Sequence, residues 1–359
     1  MLVCWPMHRI PSPLAPAAAI LGMLFEAGVR LRNQAYTSGW LPQRRLPAPV
    51  ISVGNVTMGG TGKTPLVIYL ARTLARLGFG PVVLSRGYGR NNSNASLILA
   101  PGQPAPNPAA MLGDEPALIR RHVPDVWMGI SKNRCATGHL IAQRLQRPAF
   151  ILDDGFQHRR LFRDVDIVVV DRSQSLGTNR IFPAGTLREP LSELRRCHIV
   201  VLNGMHDSRD PDPAEAEVRR LHGKAVIFSC AQTLRAVIPF SSWSERRVEG
   251  GASKYPHSVY LVAAVGNPGR FDRDVRRLGI EVRGARFFAD HYAPRPKDWQ
   301  ICAREARARA VDAILITEKD AVKISQPPDF PLQVAVQETE MSDAGLLEHI
   351  LKQRVEERS

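Results

Sequence analysis

The chain has 359 residues, 44% of them hydrophobic and 23% charged, with a formal net charge of +14. This length allows two domains, and this balance excludes a disordered or fibrous chain in favour of a soluble globular protein with a real core. The excess positive charge calls for a partner with negative charge, whether nucleotide, phosphorylated substrate, nucleic acid or anionic membrane face, unless it only solubilises the surface. The five cysteines, Cys4, Cys135, Cys197, Cys230 and Cys302, are scattered and show no metal-ligand spacing, so reduced thiols are expected rather than disulfides or zinc.

From Leu14 to Phe25 the chain is apolar, punctuated by Pro16 and Gly22, before Glu26, Arg30 and Arg32 arrive. A spanning helix needs roughly 20 apolar residues, so this run is too short. Arg9 ahead of it has the outline of a signal peptide, but no small-x-small cleavage site follows. Two readings remain: an amphipathic helix lying on an anionic membrane, flanked by Trp5, Trp40, Arg44 and Arg45, or a helix packed on the protein's own core.

Next, Pro49-Val50-Ile51-Ser52-Val53 reads as a strand entering a glycine loop, and Leu66, Leu70, Leu74 and Leu77 predict a helix from Pro65 onward. Further strands are expected at 82–85, 149–152, 166–171 and 198–202, with a helix over 132–145. Continuous apolar strands separated by helices mean a parallel sheet covered on both faces. Periodicity fades from Gln232 to Lys254, and a fresh α/β pattern begins at Val259, with strands also at 313–317 and 332–336. The fold class is α/β. The expected organisation is an N-terminal membrane-associating helix region over 1–45, a P-loop NTPase-like core over 46–230, a linker over 231–255 and a smaller C-terminal α/β domain over 256–359.

The strongest chemical signal is Gly59-Gly60-Thr61-Gly62-Lys63-Thr64, set between a strand and a helix. Glycines let backbone N–H groups curl inward onto phosphate oxygens, and the helix N-terminus adds partial positive charge. Lys63 would reach the β/γ-phosphates of ATP and the Thr64 hydroxyl would bind Mg²⁺, with Pro65 opening the helix. Thr57 stands where the strict pattern has a glycine. In Ile151-Leu152-Asp153-Asp154-Gly155-Phe156-Gln157-His158, an acid at the end of a buried strand suits a Mg²⁺ carboxylate, either Asp153 or Asp154.

Gly113-Asp114-Glu115-Pro116 opens a helix, and its acids either cap that helix or serve as metal ligand and proton acceptor. Arg86 and Tyr88, in Ser85-Arg86-Gly87-Tyr88-Gly89-Arg90, could hold an acidic or sugar substrate or form a plain basic loop. In Asp290-His291-Tyr292 the histidine is structural or catalytic. Closure of a second domain would bring it to the catalytic acid and exclude water.

Taken together and in order over roughly residues 50 to 320, these motifs resemble the tetraacyldisaccharide 4′-kinase family of lipid A biosynthesis. Gly54-Asn55-Val56, Phe182-Pro183-Ala184-Gly185, Leu187-Arg188-Glu189-Pro190 and Thr317-Glu318-Lys319-Asp320 complete the set, with Glu318 where a second lysine often stands. The resemblance implies transfer of the ATP γ-phosphate to the 4′-hydroxyl of an acylated glucosamine disaccharide 1-phosphate at the cytosolic face of the inner membrane. It implies ATP and Mg²⁺ as cofactors, with Gly59, Gly60, Thr61, Gly62, Lys63, Thr64 and Pro65 at the nucleotide. Thr64, Glu115, Asp153 and Asp154 would surround the metal. Asp114 would be the general base, tuned by His291, and Arg86, Tyr88, His158, Arg188 and Glu189 would meet the acceptor. The expected protein is a monomer on an anionic membrane surface and takes no nucleic acid, since no helicase motif series or stacking platform is visible. A soluble sugar or nucleoside kinase and a regulatory GTPase are the rival readings; for the GTPase, Thr317-Glu318-Lys319-Asp320 has the guanine-selecting letters in the wrong order.

Overall fold

The computed structural model describes residues 15–88, 90, 95–174, 176, 180–204, 206, 210–246 and 255–358. Cys4, Trp5, Arg9, Leu14, Gly89 and Lys254, which enter the readings above, lie outside the described residues. In chain order the strands are β1 Val50–Gly54, β2 Gly80–Ser85, β3 Leu97–Leu99, β4 Trp127–Ile130, β5 Pro148–Asp153 and β6 Val165–Asp171. They continue as β7 Ile199–Asn203, β8 Val226–Pro239, β9 Ser258–Ala263, β10 Glu281–Phe287, β11 Ala313–Thr317 and β12 Leu332–Met341. The first helices are α1 Ala15–Thr37, α2 Lys63–Arg76, α3 Pro108–Leu112, α4 Asp114–His122, α5 Arg134–Ala142 and α6 Pro213–Leu221. After them come α7 Phe240–Ser244, α8 Pro268–Arg277, α9 Pro296–Ala308, α10 Glu318–Ala321 and α11 Ala344–Glu356.

These elements form two compact units, one of residues up to 84 with 133–231 and 341–359, the other of 85–132 with 232–340. The units interleave along the chain and do not follow the linear division expected at 46–230 and 256–359. Residues 85–132, including the Gly113-Asp114-Glu115-Pro116 turn, join the C-terminal half, and α11 returns to the first unit. The expected linker is also structured in part: β8 runs to Pro239 and α7 follows it. Burial alternates along β8, whose middle is interrupted by Ser229, Gln232, Thr233 and Arg235, so it lacks the two-sided cover of β1, β6 and β7.

In the first unit β7, β6, β1, β5 and β2 lie side by side and parallel, with the start of β8 beyond β7. Every residue of β1, β6 and β7 is buried, as β-branched runs covered on both faces should be. Leu66, Leu70 and Leu74 of α2 are fully buried, the helical stripe expected from their spacing. Register pairs Val53 with Asp153 on one side and with Ile167 on the other. The glycine loop therefore leaves the carboxyl end of a central strand, where open parallel sheets bind ligands.

α1 has two distinct faces. Ala18, Val29 and Asn33 are buried, Phe25 meets Phe182 edge-on at 6.2 Å, and Arg32 pairs with the buried Glu189 at 2.9 Å. Leu21, Met23, Leu24 and Leu31 on the other face are exposed. Among the described residues no helix is long and apolar enough to cross a membrane.

In the second unit β10, β9, β11 and β12 run parallel, and β3 pairs antiparallel with β4. One core gathers Tyr260, Trp299, Ile314 and Val334, another Val259, Leu261, Phe271 and Val275.

Candidate active site

The first unit carries a phosphate loop held by buried amides. Asn55 Nδ2 donates to the Thr57 carbonyl at 2.5 Å and to Thr61 Oγ1 at 3.1 Å, while its Oδ1 accepts from Lys63 Nζ at 3.2 Å. Asn203 Nδ2 donates to the Thr61 carbonyl at 2.8 Å, and Gln157 Nε2 donates to the Asn55 carbonyl at 2.9 Å. Gly62 caps α2 with φ 90°, a left-handed conformation that favours glycine. Thr57 serves in place of the expected glycine because it sits in an isolated antiparallel bridge with Leu187, where a β-branched residue fits. Gly54 is required for another reason: a Cβ there would lie 2.5 Å from Phe156 Cβ.

At the end of β5 the two acids part company. Asp153 is buried. Asp154 turns into a left-handed conformation, φ 51°, and accepts both oxygens' bonds from Arg188 Nη1 at 2.9 and 2.8 Å, with Lys63 Nζ 3.3 Å away. Burial works to raise its pKa, but Lys63 and Arg188 outweigh that and hold it down at about 2. Lys63 and Arg188 thus converge on Asp154, and Arg188, expected at the acceptor, is engaged there by a carboxylate. His158 is half-buried in the turn that follows β5. Glu189, expected to contact substrate, is fully buried between Arg32 and Arg196 and so ties α1 to the loop instead.

The second unit carries an acid–base cluster. His291 Nδ1 lies 2.9 Å from Asp114 Oδ2 and 3.2 Å from Oδ1, and its Nε2 is 3.7 Å from Asp290. Both members of the expected dyad belong to one compact unit, so their contact needs no domain closure. The hydrogen bond to Asp114 raises the pKa of His291 against the opposing effect of burial. Asp114 is pushed up by burial and more strongly down by His291 and Lys319, so it ends below the ordinary carboxylate value. Asp114 also accepts from the Glu115 backbone N–H at 2.9 Å, which fixes the first turn of α4.

Lys319 was not among the expected site residues, yet it is the hub of this cluster. Its Nζ is 3.3 Å from Glu115, 3.2 Å from Asp290 and 3.9 Å from Asp114. Glu115, expected at the metal, is engaged by Lys319 here. The neighbouring Glu318 is buried and accepts from His122 at 3.0 Å, Trp243 Nε1 at 3.0 Å and the Gln337 backbone at 3.3 Å. Its role is to anchor the turn that presents Lys319. Tyr88 is exposed with its ring 5.3 Å from that of His291, and Arg86 in the same loop is exposed too. The signals for Asn55 and Lys319 lay inside the motifs Gly54-Asn55-Val56 and Thr317-Glu318-Lys319-Asp320.

Among the described residues no three His, Cys, Asp or Glu side chains form a ready metal cage. Mg²⁺ commonly uses only one or two carboxylates together with substrate phosphates, and the Thr64 hydroxyl and the carboxylates of Asp153 and Asp154 are hard oxygen donors of the kind such an ion takes.

A glycine loop from a central parallel strand into a helix, with a lysine facing a carboxylate just past the neighbouring strand's end, defines a P-loop phosphotransferase. Within that class the chain belongs to the tetraacyldisaccharide-1-P 4′-kinase family, whose pattern matches residues 14–356. A tetraacyldisaccharide 4′-kinase of Syntrophus aciditrophicus is 36% identical over 338 residues, covering 92% of this chain and 90% of the relative. That of Geobacter sulfurreducens is 38% identical over 316 residues, covering 87% and 84%. The crystal structure of LpxK from Aquifex aeolicus in complex with ATP superposes with a TM-score of 0.73 at 28% identity, covering 96% of this chain and 99% of that one.

Proposed function

We propose that this chain transfers the γ-phosphate of ATP to the 4′-hydroxyl of tetraacyldisaccharide 1-phosphate, giving the 1,4′-bisphosphate of lipid A biosynthesis. The observation that carries the chemistry is the convergence of Lys63 and Arg188 on Asp154. Those two cations are the pair that the terminal phosphates of a nucleotide would draw to themselves. The loop amides hold the phosphates, and Thr64 with Asp153 and Asp154 would hold Mg²⁺, which neutralises phosphate charge when bound.

Phosphoryl transfer is mostly positioning and charge neutralisation, so a base supplies only about 10²–10⁴-fold. Asp114 and His291 act as that base together. The Asp114 side chain is 8% exposed and the His291 side chain 27%, so the imidazole is the member open to an acceptor. Tyr88 beside it offers a sugar an aromatic face, and Arg86 a charge for the acceptor's phosphate.

The bare apolar face of α1 suits a peripheral monomer on the cytoplasmic face of the inner membrane, where an acylated acceptor resides. The test compares acylated and deacylated acceptors in detergent, beside sedimentation of wild-type and Leu24→Asp protein with anionic vesicles. Phosphorylation confined to the acylated acceptor, with vesicle binding weakened by Leu24→Asp, supports the reading. Equal turnover of a water-soluble, unacylated acceptor would replace it with a soluble sugar kinase.

A further inference from the structure

His291 holds a backbone conformation that most residues avoid. The Tyr292 N–H donates to the Ala289 carbonyl at 3.0 Å and closes a turn over 289–292, in which His291 is the third residue with φ 64°. This is the left-handed region, where such a turn favours glycine or asparagine. A side chain with that φ stays in place only where its surroundings hold it there. Two side chains of the turn are held by neighbours: Asp290 accepts from Lys319 at 3.2 Å, and the Tyr292 hydroxyl donates to Asp298 at 2.9 Å. The backbone of the turn is held by Lys323, whose Nζ donates to the Tyr292 carbonyl at 2.9 Å.

Lys323 is itself seated on Asp320, 2.7 Å away, and the two side chains are only 5% and 2% exposed. Asp320 accepts from the Thr317 hydroxyl at 2.7 Å and from the Ala264 N–H at 3.2 Å. The pair therefore joins the carboxyl ends of β9 and β11 to the turn that carries His291, all within the second unit. At that burial neither charge meets a substrate. A buried ion pair is also a poor source of stability, because apolar residues of the same volume often serve as well or better. What apolar residues cannot supply is the set of directed bonds to Ala264, Thr317 and Tyr292.

We infer that Lys323, seated on Asp320, is a positioning residue for His291. It fixes the Tyr292 carbonyl, and so keeps the turn left-handed and the imidazole against Asp114. The kinetic consequence rests on the reading of Asp114 and His291 as the base, whereas the placement of the ring does not.

The test therefore has a spectroscopic and a kinetic arm, both on the full chain. An ionised carboxylate only accepts, so His291 Nδ1 carries the proton it shares with Asp114. With histidine labelled at its ring nitrogens, the Nδ1 resonance of His291 is assigned by its loss in His291→Ala. In Lys323→Met it should move toward the value of a free imidazole. There kcat should fall about 10–100-fold, the cost of a misplaced group, with the KM for ATP unchanged. The same substitution in the His291→Ala background should cost nothing further. Should Lys323→Met fail to fold around the lone Asp320 charge, the double variant Asp320→Asn/Lys323→Met replaces it, since it buries no charge there and still lacks the donor to Tyr292. An unmoved Nδ1 resonance would overturn the assignment. An equal loss of kcat with and without His291 would overturn it too, because Lys323 would then act on Asp114 by charge or on the fold at large. Undiminished turnover in His291→Ala alone would refute the base, and the resonance then decides the placement by itself.

Discussion

Replacing Lys319 with Met removes the one lysine that three carboxylates share. Its Nζ sits 3.2 Å from Asp290, 3.3 Å from Glu115 and 3.9 Å from Asp114, and its side chain is only 17% exposed. Taking out one partner of a buried ion pair costs about 3–5 kcal/mol, because the remaining charges stay buried and uncompensated. The lower end applies here, since Glu115 and Asp290 keep partial access to water. For a unit of this size, ~3 kcal/mol corresponds to a melting temperature lower by about 6–12 °C. The deficit should shrink as pH falls into the carboxylate range, where protonation relieves the repulsion.

The same change moves a titration. Lys319 lowers the pKa of His291, whose hydrogen bond to Asp114 raises it. As a base His291 must be neutral, so kcat/KM should climb as pH rises through its folded pKa, which lies above the ordinary value of 6.5. Without Lys319 that ascending limb should move to still higher pH. Thermal melts across pH, beside kcat/KM profiles from about pH 5.5 to about 9, read both effects. An unchanged melting temperature together with an unmoved limb would refute Lys319 as the hub of the cluster.

Lys63→Ala should lower kcat by about 10²–10³-fold, the loss typical of one preorganised charge, while urea unfolding stays close to wild type because Asp154 keeps Arg188. Asp114→Asn and His291→Ala should each reduce kcat/KM, with the double variant no worse than about the more severe single one; additive losses would dissolve the pair. Asp114→Asn alone should also bring the ascending limb of the pH profile down toward the ordinary histidine range, since the bond that raises His291 is weakened. Gly54→Ala should cost about 1–3 kcal/mol in urea unfolding, because the new methyl meets Phe156 Cβ at 2.5 Å and its backbone N at 2.6 Å, and the backbone cannot yield.

Much of this architecture was legible in the sequence because its signals are local. Continuous Val and Ile runs mark buried parallel strands, and a glycine loop between strand and helix marks phosphate binding whatever surrounds it. β8 was missed, since Ser229, Gln232, Thr233 and Arg235 break up its apolar residues and its burial alternates. The interleaved units were missed as well, because they depend on pairings distant in sequence, such as Asp114 with His291 and Glu115 with Lys319. Lys319 shows its role only when residues 114, 115 and 290 are brought together. Glu189 looked like a substrate contact beside Arg188. Its partners Arg32 and Arg196, one of them on α1, instead make it a buried tether. Glu318, where a lysine was expected, is explained by His122 and Trp243, neither of which is near it in the chain.

The most direct test of the central claim follows the γ-phosphate. With γ-labelled ATP, Mg²⁺ and tetraacyldisaccharide 1-phosphate in detergent, the label should appear on the lipid at the 4′ position, and only while Mg²⁺ is present. Hydrolysis of ATP with no label on the lipid would contradict it, leaving a working phosphate loop whose acceptor is some other molecule.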